Sequence, residues 1–180
     1  YEMSGGALNV NNGRTLYVGK NGTGTFVQTG GTVNATGDLF LADGNAAVGT
    51  YNISGNAQLN IGGLHTVIGR QGLGHFTQSD NAVVNAQRIF LAEFNGSAGS
   101  TYTMNGGTLN AATSATGAFT LEVARGYDAT FTLNDGILNV TNTGNEESML
   151  VGRNATGIFN QNGGVVNVNR RLHVGQDAPG

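Results

Sequence analysis

Apolar residues recur along this chain in short alternating runs, and nowhere does a helical period persist. The stretch "GTFVQTGGTVN" from Gly24 to Asn34 returns as "GTYNISGNAQLN", "STYTMNGGTLN", "ATFTLNDGILN" and "GIFNQNGGVVN". Period-two alternation over a few residues, bounded by Gly, Asn and Thr, predicts short strands. A segment that returns at near-constant spacing predicts a unit that stacks on copies of itself. Aligned on their aromatics, the copies begin at Tyr1, Phe26, Tyr51, Phe76, Tyr102, Phe131 and Phe159, spaced by 25, 25, 25, 26, 29 and 28 residues. Eight or nine residues on, each copy has Leu or Val followed by Asn, at Asn9, Asn34, Asn60, Asn85, Asn110, Asn139 and Asn167. A third alternating segment ends in a small residue each time: "LYVG", "LFLA", "TVIG", "IFLA", "LEVA", "MLVG" and "LHVG".

One copy therefore offers three short strands and cannot bury its own apolar face, whereas stacked copies can. The prediction is an all-β chain, a parallel β-helix of about seven coils. It is a single repeat array over residues 1–180, about 34 Å long at ~4.8 Å per coil. The aromatics stack inside, and the pairs Leu16/Val18, Leu39/Leu41, Ile89/Leu91, Leu121/Val123, Met149/Val151 and Leu172/Val174 face the core. The Asn column is expected at a corner, each side-chain amide bonding its neighbour one coil away. Two residues past the aromatics stand Met3, Gln28, Ile53, Gln78, Met104, Leu133 and Gln161. Gln occurs only in Phe copies, and the first five aromatics alternate Tyr and Phe, so the repeating unit reads as a pair of coils. Insertions in "AATSATGAFTLEVA" and "VTNTGNEESMLVG" lengthen two coils and should leave one corner as loops.

Composition sharpens this picture. Charged residues are 11% of the chain and glycines number 31, a turn-rich profile in which the in-register apolar residues argue against disorder. A net charge of −3 with scattered Lys and Arg lacks the basic stripe of a nucleic-acid binder. No apolar run approaches the ~20 residues that span a bilayer, so membrane insertion is not expected. The opening "YEMSGGALNV" lacks the regions of a signal peptide, which suggests a mature or internal piece. Without cysteine there is no disulfide framework and no thiolate metal site. Copies of the form "GTFVQTGGTVNATGDLFLADGNAAVGTYNISGNAQLN" resemble the Gly/Asn/Thr-rich β-solenoid repeats of large secreted bacterial proteins, which often carry autotransporter or PEP-CTERM sorting regions. The resemblance covers the whole chain. It implies stalks, adhesins and surface fibres at an extracellular or cell-surface location, with no shared active site.

Some β-helices cleave polysaccharides, and such chemistry needs clustered carboxylates, a basic partner or metal ligands. The acids stand mostly one per coil; only Glu146 and Glu147 adjoin, within an insertion that reads as a solvated loop. His65, His75 and His173 lack metal-ligand spacing. No catalytic residue, metal or cofactor is expected. The residues after each third strand, Lys20, Asp43, Arg70, Glu93, Arg125, Arg153 and Gln176, form a column read as an electrostatic ladder, with a carbohydrate site as its alternative. Asn-x-Ser/Thr triplets at Asn21, Asn34, Asn52, Asn95, Asn139 and Asn154 follow from composition. Alternation turns Tyr17, Phe40, Val67, Phe90, Glu122, Leu150 and His173 outward, and the first four make an apolar strip that predicts an interface. Thr25, Thr50, Thr101 and Thr130, with Thr77, Thr103 and Thr132, could form an ice-binding face, but His75, Ile158, Val27 and Asn52 interrupt it.

The function expected is therefore a structural segment of a bacterial surface fibre or adhesin that stacks head to tail on itself, with surface glycans as a possible further partner. A carbohydrate-binding or polysaccharide-degrading β-helix is the second reading, and an ice-binding protein the third.

Overall fold

A computed structural model of the chain describes residues 1–144 and 147–176; Glu146 and Pro179 lie outside them. Every regular element among these residues is a parallel strand, and no helix is long and apolar enough to cross a membrane. The chain is a β-solenoid of seven coils. The first and second strands of each coil belong to one twelve-stranded sheet, and the third strands form a separate seven-stranded sheet. Register follows the repeat: Phe26 pairs Tyr51, then Phe76, Tyr102, Phe131 and Phe159 in succession. From Phe26 to Phe159 the ring centroids lie 4.6–5.1 Å apart and near parallel. That spacing is the rise of one parallel rung, so aromatic stacking and backbone pairing reinforce each other.

The core lies between the two sheets. Leu39, Leu41, Ile89, Leu91, Leu121 and Val123 are fully buried there, while Leu172 and Val174 of the seventh coil are exposed because no coil follows them among the described residues. The small residue after each third strand has a backbone reason. Gly19, Ala42, Gly69, Ala92, Ala124, Gly152 and Gly175 all adopt left-handed φ values of 55–78°. That conformation costs a residue with a Cβ about 1–2 kcal/mol. Alanine occurs where its methyl is buried in the core, as at Ala92 and Ala124. At Gly69 an added Cβ would collide with the Ser100 side chain, and only glycine fits.

Two expectations change. In the fifth and sixth coils the first two strands are continuous, as Ser100–Thr113 and Ala129–Asn142. Asn105 stays paired with Asp135 through the bend, and the Gly-containing turn that separates strands elsewhere is absorbed as an irregularity in the ladder. The insertion ahead of the fifth coil's third strand is not a solvated loop throughout. Its end folds inward, burying Phe119 and Thr120, and Thr120 joins the ladder by donating to the Ser148 carbonyl while its own carbonyl accepts from Ile89.

Candidate functional site: the outer face of the third-strand sheet and the end coils

The outward column of the seven-stranded sheet is in register as expected, Tyr17 beside Phe40, then Val67, Phe90, Glu122, Leu150 and His173. It is not an open apolar strip. Tyr17 is 38% exposed and Phe40 half-buried, but Val67 and Phe90 are buried. Basic side chains from neighbouring columns lie over the rings. Lys20 Nζ is 4.5 Å from the Tyr17 centroid, the Arg70 guanidinium 4.5 Å from Phe40, and those of Arg88 and Arg125 lie 4.5 and 3.9 Å from Phe90. Long cationic side chains shed little hydration by lying flat on a ring face, so they roof apolar surface without an apolar neighbour. Of the strip expected as an interface over Tyr17, Phe40, Val67 and Phe90, only Tyr17 and Phe40 keep apolar surface in solvent, and Phe94, 46% exposed, adds to it from outside the column.

The charged column is a ladder, but it runs differently from its sequence order. Arg70 pairs with Asp43 and approaches Glu93 at 3.8 Å, and Arg125 reaches Glu93 at 3.7 Å. Lys20 stands over Tyr17 instead. Arg125 and Arg153 are like-charged neighbours in sequence order. Glu122, from the adjoining outward column, resolves that repulsion, lying 3.5 Å from Arg125, 3.3 Å from Arg153 and 3.4 Å from Arg88. The acids therefore do not all stand alone: Glu93 and Glu122 share Arg125. Glu122 is only 1% exposed. Burial pushes its carboxyl above the usual carboxylate range, and the three guanidiniums offset this only in part.

Below Glu122 the covering changes. The Phe119 ring lies edge-on to His173 at 5.4 Å with Arg153 5.5 Å above it, and Leu150 is buried. Glu147 Oε2 is 2.6 Å from His173 Nε2, and its other oxygen is 3.4 Å from Arg171. Glu147 is thus tied into the last two coils rather than free in a loop. In the upper half, Phe40, His65, Val67, Arg70, Glu93 and Phe94 line a shallow depression of about 150 Å³. His65, His75 and His173 lie apart, and among the described residues no group of His, Asp and Glu could hold a metal. The threonine rows exist in register, but His75 interrupts one, bonding Thr101 at 2.9 Å.

The asparagine column sits within the second strands, facing outward, and not at a corner. Six side-chain bonds of 2.8–2.9 Å join Asn9 through Asn167, and in each the later coil's Nδ2 donates to the earlier coil's Oδ1. A second ladder runs from Asn105 to Asn134 to Asn162, again with the later coil's Nδ2 donating to the earlier coil's Oδ1. The Tyr/Phe alternation has a direct cause. The Tyr51 hydroxyl donates to Gln28 Oε1 at 2.8 Å and that of Tyr102 to Gln78 Oε1 at 2.7 Å, each inside the core. Burial pushes both phenols far above their usual range. At the seventh coil an opening of about 700 Å³ is lined by apolar side chains, among them Phe159, Val166, Leu172 and Val174. At the other end Tyr1 is 66% exposed. No family model, no curated protein and no solved structure matches the chain.

Proposed function

We propose that this chain is a non-enzymatic structural segment of an extracellular bacterial surface fibre or adhesin, extended by stacking coil upon coil. The observation that carries this reading is the unbroken Asn ladder, whose six rungs reach both end coils with one donor–acceptor direction. Side chains that elsewhere would supply chemistry are spent on neighbouring rungs. Glu122, the carboxyl with the most perturbed environment, is sealed from any substrate by three arginines and the Phe119 segment, whereas a general acid must reach the bond it cleaves. The surface location rests on the resemblance of the repeats to those of secreted bacterial proteins. A glycan-binding reading is favoured by one feature, the depression where exposed Phe94 flanks Arg70 and Glu93, an apolar face beside charged hydrogen-bonding groups.

Electron microscopy of the purified protein and a glycan array separate the two. Filaments without sugar binding are the expected result. Monomers that bind a specific sugar, with binding lost in Phe94→Ala, would replace the fibre reading with the glycan one.

A further inference from the structure

The charges of this chain are segregated by face. In the second to sixth coils the first strands occupy Thr23–Gln28, Val48–Ile53, Leu73–Gln78 and residues 100–104 and 129–133, and they contain no Lys, Arg, Asp or Glu. Charged residues of the same coils stand on the third-strand face and its corners, as do Arg70, Glu93, Glu122 and Arg125, or at the turn between the first two strands, as do Asp80 and Asp135. Burial alternates along the first strands, so every second residue points to solvent. Two outward rows result. One is Thr25, Thr50, His75, Thr101 and Thr130, and the other is Val27, Asn52, Thr77, Thr103 and Thr132. Val48 and Leu73 extend the face beside them, in register with Thr23. His75 is its one titratable group and is bonded within the face, Nδ1 lying 2.9 Å from Thr101 Oγ1.

A sheet face that stays in water usually carries charges, which keep it from packing on another sheet. This one presents threonine methyls, Val27, Val48 and Leu73 among hydroxyls that can both donate and accept. Two copies of it can meet without burying a charge, and a hydroxyl that loses water finds another opposite. Six residues across at ~3.3 Å and five rungs along at ~4.8 Å give about 480 Å² per copy. A self-contact therefore buries roughly 1,000 Å² in all, the size that separates a specific interface from an incidental one. Two copies also share one rise per coil, so rung meets rung along the whole contact, a match that a partner of different period does not offer.

We infer that this face is a lateral interface between two copies of the chain, packed first-strand sheet against first-strand sheet across a twofold axis. Such a contact is isologous and closes on a pair. It thickens the fibre proposed above without extending it, and it uses only coils that have a coil on either side.

Sedimentation velocity over a concentration series, with electron microscopy of any filaments, tests the pairing. The parent should form pairs that sodium chloride does not dissociate, because no ion pair holds them, and that sulfate strengthens. Thr50→Lys combined with Thr103→Lys sets one ammonium on each row. The far-UV spectrum of this variant should be that of the parent, while the dissociation constant of the pair rises by about a hundredfold or more and filaments fall to half width. Thr108→Lys, the same change on the second-strand face, should leave pairing unmoved. Equal losses in both variants, or pairs that salt dissolves, would show that another face is used and overturn the inference. Filaments of one width in parent and double variant would leave the fibre standing and the lateral pair refuted; pairs without filaments would do the reverse. A parent that is monomeric at every concentration overturns the pairing, and thermal hysteresis lost in the double variant would then assign the face to ice.

Discussion

The outer face of the third-strand sheet solves one problem in two ways. In the first four coils the outward residues are Tyr17, Phe40, Val67 and Phe90, and the roof over them is cationic, with Lys20, Arg70, Arg88 and Arg125 laid on the rings. In the last three coils they are Glu122, Leu150 and His173, and the roof is a piece of chain, the insertion that brings in Phe119. A solenoid of strict 25-residue coils has no spare backbone, so it can cover a sheet only with long side chains. An insertion supplies an apolar lid and makes room for a buried carboxylate. Glu122 also stands where the roofs meet and neutralises the arginines that project from both sides.

The largest test of this contrast is within the cationic half. Phe90→Ala should cost about 3–5 kcal/mol, as for a ring lost from a core, because two guanidiniums would be left over a void. Tyr17→Ala, at the exposed end of the same column, should stay within about 0.5 kcal/mol. Urea midpoints at unchanged slope would measure both, and equal losses would mean that the arginines do not seal the face.

A smaller effect concerns the corner shared by both halves. Gly69→Ala should cost about 1–3 kcal/mol, from a left-handed φ and a collision with Ser100. Ala124→Gly in the other half should be near neutral, because relief of a φ of 62° offsets the loss of one buried methyl, about 0.8 kcal/mol. Thermal unfolding of the pair shows whether the two corners differ as their neighbours require.

The smallest effect belongs to Glu122. Its folded carboxyl holds the proton more tightly than the unfolded one, so the native state binds more protons between the two pKa values and stability falls as pH rises through that interval. The contribution is complete below the ordinary value of 4.5 and is lost as pH passes the folded value. Glu122→Gln, neutral throughout, should flatten that slope in urea titrations between about pH 4 and about pH 8. A slope above pH 4.5 that the substitution leaves unchanged would show that the three arginines outweigh burial.

Much of the fold was legible because its causes are local. Alternation of apolar residues, the Leu/Val-Asn pair and the small residue at the left-handed corner are each read within one coil, and the solenoid repeats them. The Asn column was visible for the same reason, although its place in mid-strand was not, since a polar residue beside a Gly-rich turn reads as a corner. The recurrence of Gln with Phe was visible as a pattern, but its cause lies in the Tyr hydroxyl of the next coil, some 23 residues away in sequence.

The sequence by itself determined which residues share a rung and which side of the sheet they take, because one-coil spacing and period-two alternation leave no other register that buries the aromatics. Only the tertiary structure decided what lies on the outward side. Arg70 and Arg125 come from the corner column, Arg88 from the first position of its strand and Phe119 from an insertion. Arg88 covers Phe90 from two residues away on the same strand face, whereas Arg70, Arg125 and Phe119 reach Phe40, Phe90 and His173 across coils, through side-chain reach that no periodicity records. Alternation fixes the direction in which a residue points; whether solvent or a neighbour meets it is set by the lengths and charges of side chains in other columns.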